Sequence, residues 1–129
     1  MELKLITWNI RGIESDSKRQ SLKNRILIEK PAMLMLQETK CSESKLHSFI
    51  QKCWKNAKVI ATDAKGNSGG LAIIWDPNLL IMEGLLSSMH TLSGWYKVIG
   101  TNHSRVITNV YGLPQIDEKI SFLNHLSWI

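Results

Sequence analysis

Two runs in this chain are apolar at every consecutive position, Ala32-Met33-Leu34-Met35-Leu36 and Leu71-Ala72-Ile73-Ile74-Trp75. A strand with one face in water alternates apolar and polar residues, so an unbroken run predicts a strand covered on both faces. Strands of that kind belong to layered structures, in which another element packs above the sheet and another below.

The rest of the sequence is consistent with such layers. Residues 3–8 form a third short apolar run, read as a buried strand that ends in Asn9-Ile10-Arg11-Gly12, with Gly12 marking a turn. Ser17 and Gln20 fit a capping box, and Leu22, Ile26 and Glu29 mark successive turns before Pro31, which predicts a helix over residues 17–29. Leu46, Phe49, Ile50, Cys53 and Trp54 follow the i, i+3, i+4, i+7, i+8 spacing of an amphipathic helix over residues 42–54. Residues 59–62 suit a short strand, and residues 63–70 are rich in turn formers. Beyond Trp75 the helical period disappears. Residues 79–88, 95–100 and 105–111 read as a β meander, followed by a final helix over about residues 117–128. The order βαβα, then mostly β, then α describes an α/β sandwich with a mixed sheet. The chain stops one residue after Trp128, on an apolar final segment without a polar tail, and this suggests a fold cut within a larger one.

Composition narrows the class. The 129 residues suit one domain, and 43% apolar against 21% charged residues suffices for a core and argues against disorder. The longest apolar runs span five residues, far below the roughly 20 of a membrane-crossing helix. Charges within the first six residues, and the lack of a small-residue cleavage pattern, do not resemble a signal peptide, so an intracellular setting is expected. Cys41 and Cys53 form no CxxC pair and have no histidine at zinc-ligand spacing; both are expected to be free thiols, with Cys53 packing on a helix stripe. Residues 1–60 hold 12 Lys and Arg against 6 Asp and Glu, whereas residues 61–129 hold 4 against 5. An excess of positive charge in the first half is compatible with a polyanionic partner, and equally with a solvated helix exterior.

A strand, helix, strand unit normally joins parallel strands by a right-handed crossover, so Asn9 and Glu38, each at a strand's end, are expected along the same sheet edge. Ligands of α/β sheets gather at that edge. An amide oxygen beside a carboxylate is a hard donor pair of the kind Mg²⁺ or Mn²⁺ prefers. The plainer alternative is that Asn9 closes a turn and Glu38 is a solvated strand terminus.

The segment Ile6-Thr7-Trp8-Asn9-Ile10-Arg11-Gly12, followed after one helix by Gln37-Glu38-Thr39-Lys40, resembles the endonuclease/exonuclease/phosphatase superfamily. Ser68-Gly69-Gly70-Leu71-Ala72-Ile73-Ile74-Trp75 and Asn109-Val110-Tyr111-Gly112-Leu113-Pro114 resemble its third and fourth sequence blocks, in the right order. The wording is most similar to the endonuclease domain of plant non-LTR (LINE-type) retrotransposons.

The resemblance implies an α/β fold, the N-terminal half of a four-layer α/β sandwich, with residues 1–129 as a truncated domain of that family. It further implies Mg²⁺-dependent (or Mn²⁺-dependent) hydrolysis of DNA phosphodiesters. In that scheme Glu38 is the direct metal ligand, Asn9 orients the metal-bound phosphate or its waters, and Tyr111 hydrogen-bonds the scissile phosphate. The family's Gly-Asp-Phe/Leu-Asn and Ser-Asp-His blocks do not occur, and none of His47, His90, His103 or His125 follows an Asp. The chain alone is therefore expected to be inactive, to lack the C-terminal half as a partner, and to be nuclear if it serves a retroelement. A non-catalytic nucleic-acid or protein-binding remnant, and a phosphatase or phospholipase of the same superfamily, are the rival expectations.

Overall fold

A computed structural model of the chain describes residues 3–63, 69–88 and 90–110, together with the backbone of residues 121–123. Strand β1 (Leu5–Asn9) leads into helix α1 (Asp16–Glu29), strand β2 (Met33–Gln37), helix α2 (Glu43–Cys53), strand β3 (Lys58–Ala61) and strand β4 (Leu71–Trp75). The meander follows as β5 (Leu80–Ser87), β6 (Thr91–Val98) and β7 (Ser104–Val110), and β8 (Ser121–Leu123) closes the order.

Five strands make the first sheet, in the order β3-β4-β2-β1-β8, and β5-β6-β7 make the second. The two continuous apolar runs are neighbours at the centre: β2 pairs antiparallel with β4, Leu34 opposite Ile74 and Leu36 opposite Ala72. β1 and β2 are parallel, from Leu5 opposite Met33 to Asn9 opposite Gln37, as the crossover through α1 requires. The sheet is therefore mixed.

Strand alternation sorts the side chains into two cores. Ile6, Trp8, Leu34, Leu36, Ala72 and Ile74 face the helices, where Leu22 and Ile26 of α1 and Leu46 and Ile50 of α2 cover them. Leu5, Met33, Met35, Leu71, Ile73 and Trp75 face the second sheet and meet Leu80, Leu92, Tyr96 and Val98. The layers run helix, sheet, sheet, which is a partial α/β sandwich. Neither helix is long and apolar enough to cross a membrane.

Three local expectations need correction. The cap of α1 is Ser15, whose Oγ accepts from Lys18 N at 3.1 Å, and Ser17 and Gln20 lie inside the helix. The helix ends at Glu29 as expected: Lys30, the residue that Pro31 bars from the helical region, turns left-handed (φ 48°) and donates its N–H to Ile26 O. β6 starts at Thr91, four residues earlier than expected, because Gly94 is a strand residue under the ring of Tyr96; a Cβ there would stand 2.8 Å from Tyr96 Cζ. Residues 121–123, placed in a final helix by their sequence, instead pair antiparallel with β1, Leu5 opposite Leu123 and Thr7 opposite Ser121. An unpaired edge on a strand buried on both faces would leave backbone groups unsatisfied, and this outweighs weak helical periodicity. The remainder of that predicted helix, and His125 on it, fall outside the described residues.

Tyr96 is fully buried, packs edge-on to Trp75 with ring centroids 5.3 Å apart, and its hydroxyl has no hydrogen-bond partner among the described residues. Burial holds the phenol neutral far above the ordinary tyrosine range. Such a group favours the folded state below the unfolded pKa of about 10, and the contribution is lost as pH rises past it. Tyr96→Phe removes an unsatisfied buried polar atom and its titration together. The variant is expected to gain about 1 kcal/mol at pH 7 and to lose less stability between pH 9 and 11 than the parent, which urea melts across that range check.

Candidate active-site rim at the ends of β1 and β2

Three loops meet where β1 and β2 end and β4 begins. Ile10 N, Gly12 N and Ile13 N donate to the carbonyls of Gln37, Glu38 and Thr39, at 3.1, 2.7 and 3.1 Å. Thr39 N and Lys40 N donate in turn to Gly70 O and Gly69 O, at 3.1 and 3.0 Å. The ladder thus continues past the regular strands and stiffens the rim.

The backbone bends sharply there. Of nine described residues with positive φ, six lie at this rim: Arg11 (54°), Gly12 (95°), Glu38 (54°), Lys40 (56°), Gly69 (80°) and Gly70 (97°). Left-handed backbone costs a non-glycine residue on the order of 1 kcal/mol or more, and clusters of it mark sites that surrounding structure holds in place.

At Glu38 the bend decides the chemistry. Asn9 stands opposite Gln37 in the strand register, so regular alternation would send the Glu38 side chain to the other face of the sheet. The left-handed turn at Glu38 breaks that alternation. Asn9 Nδ2 then donates to Glu38 Oε2 at 2.7 Å, a charge-assisted contact between residues 29 apart in sequence. Asn9 Oδ1 is buried and has no hydrogen-bond partner among the described residues. The expected meeting of these two residues is observed.

Around the pair, Lys18 Nζ donates to Ile10 O at 2.7 Å and so pins the β1 loop to α1. The Lys40 stem lies over Gly12, 3.6 Å from where a Cβ would stand. A groove of about 550 Å³ opens beside the rim, lined among others by Glu14, Arg19, Cys41, Lys45 and Lys52. Lys45 Nζ sits 3.6 Å from Glu14 Oε2 across it. Cys41 is buried at its wall, and burial raises its thiol above the ordinary range. No cluster of three His, Cys, Asp or Glu side chains forms among the described residues. The third expected residue, Tyr111, lies outside the described residues; β7 carries the chain to Val110 just before it.

Two polar residues of this region stand in the quoted sequence blocks but were given no role there. Asn109, 1% exposed, donates from Nδ2 to Leu36 O at 3.0 Å and to Ala72 O at 2.9 Å. Gln37 Nε2 donates to Asn109 Oδ1 at 2.7 Å and to Thr7 Oγ1 at 2.8 Å. The available signal was an Asn at a core-facing position of a β segment, next to the tyrosine that drew attention.

The described residues form a partial α/β sandwich with a polar pair at the carboxyl ends of two parallel strands, and several proteins of known structure share this fold. No family model matches the sequence. The catalytic domain of human Nocturnin is similar over 83% of this chain and 48% of its own, with a TM-score of 0.67 and 12% identity. An endonuclease/exonuclease/phosphatase family protein from Bacteroides thetaiotaomicron matches over 85% and 49%, with a TM-score of 0.63 and 14% identity. The 3′ phosphatase NExo from Neisseria, bound to a product DNA hairpin, matches over 84% and 40%, with a TM-score of 0.63 and 17% identity. The chain shares the fold of these solved structures and spans about half their length.

Two outcomes test the rim. A Cβ on Gly70 would collide with Thr39 Oγ1 and stand 3.2 Å from Lys40 N, at a φ that L-residues rarely adopt. Gly70→Ala should destabilise the fold by about 2 kcal/mol or more, read by chemical denaturation. Cys41, with its pKa raised, should react with a disulfide reagent at pH 7.5 much more slowly than a free thiol and accelerate only as pH climbs past the usual thiol range.

Proposed function

We propose that this chain is the metal-binding part of a phosphodiesterase acting on nucleic acid, and more specifically of a DNA endonuclease of plant LINE-type retroelement origin. The observation that carries the reading is the Asn9–Glu38 pair: a carboxylate fixed on one oxygen by an amide, beside a buried amide oxygen that lacks a donor among the described residues. An orphaned acceptor next to an anionic oxygen suits a hard divalent cation, Mg²⁺ or Mn²⁺. The DNA on the Neisseria neighbour and the positive charge of residues 1–60 support a nucleic-acid substrate. The retroelement assignment rests on the sequence blocks alone.

In this scheme Glu38 and Asn9 hold the cation, which when bound polarises a phosphoryl oxygen as a Lewis acid. Asn9 keeps the Glu38 carboxylate in one orientation, and the left-handed turn keeps it at the rim. Tyr111 is assigned a neutral hydrogen bond to the scissile phosphate, which stabilises charge developing on its oxygens. Lys40 and Arg11, on the same loops, contribute to attraction of the polyanion. The water-activating base belongs to a second half of the domain. A non-catalytic nucleic-acid-binding remnant is the second reading, favoured by the absence of a His or Asp cluster among the described residues.

Because the pair supplies a single carboxylate, affinity for Mg²⁺ should be millimolar or weaker and should disappear in Glu38→Gln; micromolar binding that survives this substitution would show that Glu38 is not the ligand. In a plasmid-nicking assay the chain alone should be inactive, since loss of general-base catalysis costs about 10²–10⁴-fold. Fusion to a superfamily C-terminal half carrying the Gly-Asp-Phe-Asn and Ser-Asp-His blocks should restore nicking, and Glu38→Gln in the fusion should abolish it. Salt-sensitive DNA binding without nicking by the fusion would favour the remnant.

A further inference from the structure

We infer that Asn109, in the second sheet, is a positioning residue for the Asn9–Glu38 pair, acting through Gln37. The inference rests on the proposed role of that pair as a cation holder.

Asn109 belongs to β7, whose neighbour in the sheet is β6, yet its side chain crosses to the other sheet. Both Nδ2 hydrogens are used, one on a carbonyl of β2 and one on a carbonyl of β4. Its oxygen accepts from Gln37, the residue immediately before Glu38 and directly opposite Asn9. A buried amide is costly unless satisfied, and this one is satisfied only in one placement of β7 over β2 and β4. A slip of one residue would turn Asn109 to the outer face and leave Gln37 without this acceptor.

Gln37 is held at both ends. Its carbonyl accepts from Ile10 N at 3.1 Å, and its side-chain amide is shared between Thr7 and Asn109. The peptide that enters the left-handed turn at Glu38 is therefore fixed from the neighbouring strand and from the opposite sheet. Without that anchor, relaxation of Gln37 would let Glu38 return toward right-handed backbone, which strand alternation directs to the other face. A well-satisfied core Asn used only for stability would not need to contact the residue that precedes the strained position; the geometry assigns Asn109 to the site.

The test compares the full chain with Asn109→Leu, which conserves volume, and with Gln37→Met, which leaves the two bonds from Asn109 to strand carbonyls intact. The Asn9 side-chain amide signals in ¹⁵N NMR spectra without metal report the Asn9–Glu38 contact, and Mn²⁺ titration by water-proton relaxation reports affinity. Both variants are expected to keep the parent's secondary structure, to shift the Asn9 amide signals toward those of a solvated amide, and to weaken Mn²⁺ binding about tenfold, as loss of an outer-sphere partner does. Folded variants whose Asn9 signals and Mn²⁺ affinity match the parent's within twofold would overturn the inference. Should Asn109→Leu fail to fold, Gln37→Met decides. If the parent itself binds no Mn²⁺ the cation-holding role falls, while the Asn9 signals still decide whether Asn109 positions the pair.

Discussion

The structure depends on a sheet whose central strands, β2 and β4, are apolar on both faces. Because neither face tolerates water, helices must cover one side and a second sheet the other, and that demand sets the order of layers. Each fully buried Leu or Ile side chain of those strands is worth about 1.5–3 kcal/mol of transfer free energy. Parity along the strands then sorts every neighbour: Leu34 and Leu36 look to α1 and α2, Met33 and Met35 to the meander. The same parity sends Thr7 and Gln37 toward the second sheet, which is why a polar network forms between the sheets and not under the helices.

That network lies in an otherwise apolar interface, and its position is informative. Packing against a sheet by hydrophobic contact alone is non-directional and leaves sliding of one sheet on the other weakly opposed. Asn109 adds direction, since its two donors match one carbonyl on each of two strands. The free energy gained over a well-packed leucine is small, because the amide loses its water on burial. Its effect is on register, and the residues whose register matters most are at the strand ends.

How far the site was legible follows from what sets each part. Asn9 and Glu38 were legible together because a right-handed crossover between parallel strands leaves no other edge for their ends. The strand at 71–75 was legible from continuous apolarity, and the β segment read over residues 79–88 from the loss of helical period. Three features were not. The strand at residues 121–123 satisfies an edge that exists only once β1 is built. Gly94 looks like turn chemistry, but it is the space that Tyr96 needs. Asn109 reads as a polar residue in a meander, and only the packed second sheet shows that it faces inward. In each case the deciding partner is distant in the chain, so local propensity carries no information about it.

The left-handed turn at Glu38 links strain to chemistry. A regular strand would be cheaper at that residue by on the order of 1 kcal/mol, but it would carry the carboxylate away from Asn9. The turn persists because the loops on either side bond to it: Gly12 N holds the Glu38 carbonyl at 2.7 Å, while Thr39 N and Lys40 N are held by Gly70 and Gly69. Gly70 permits this closeness, since a side chain there would occupy the place of Thr39 Oγ1. The Gly69-Gly70 pair before β4 therefore acts at the site through backbone alone: it supplies two carbonyls and free space, and these keep Glu38 bent toward Asn9 when unconstrained backbone would straighten.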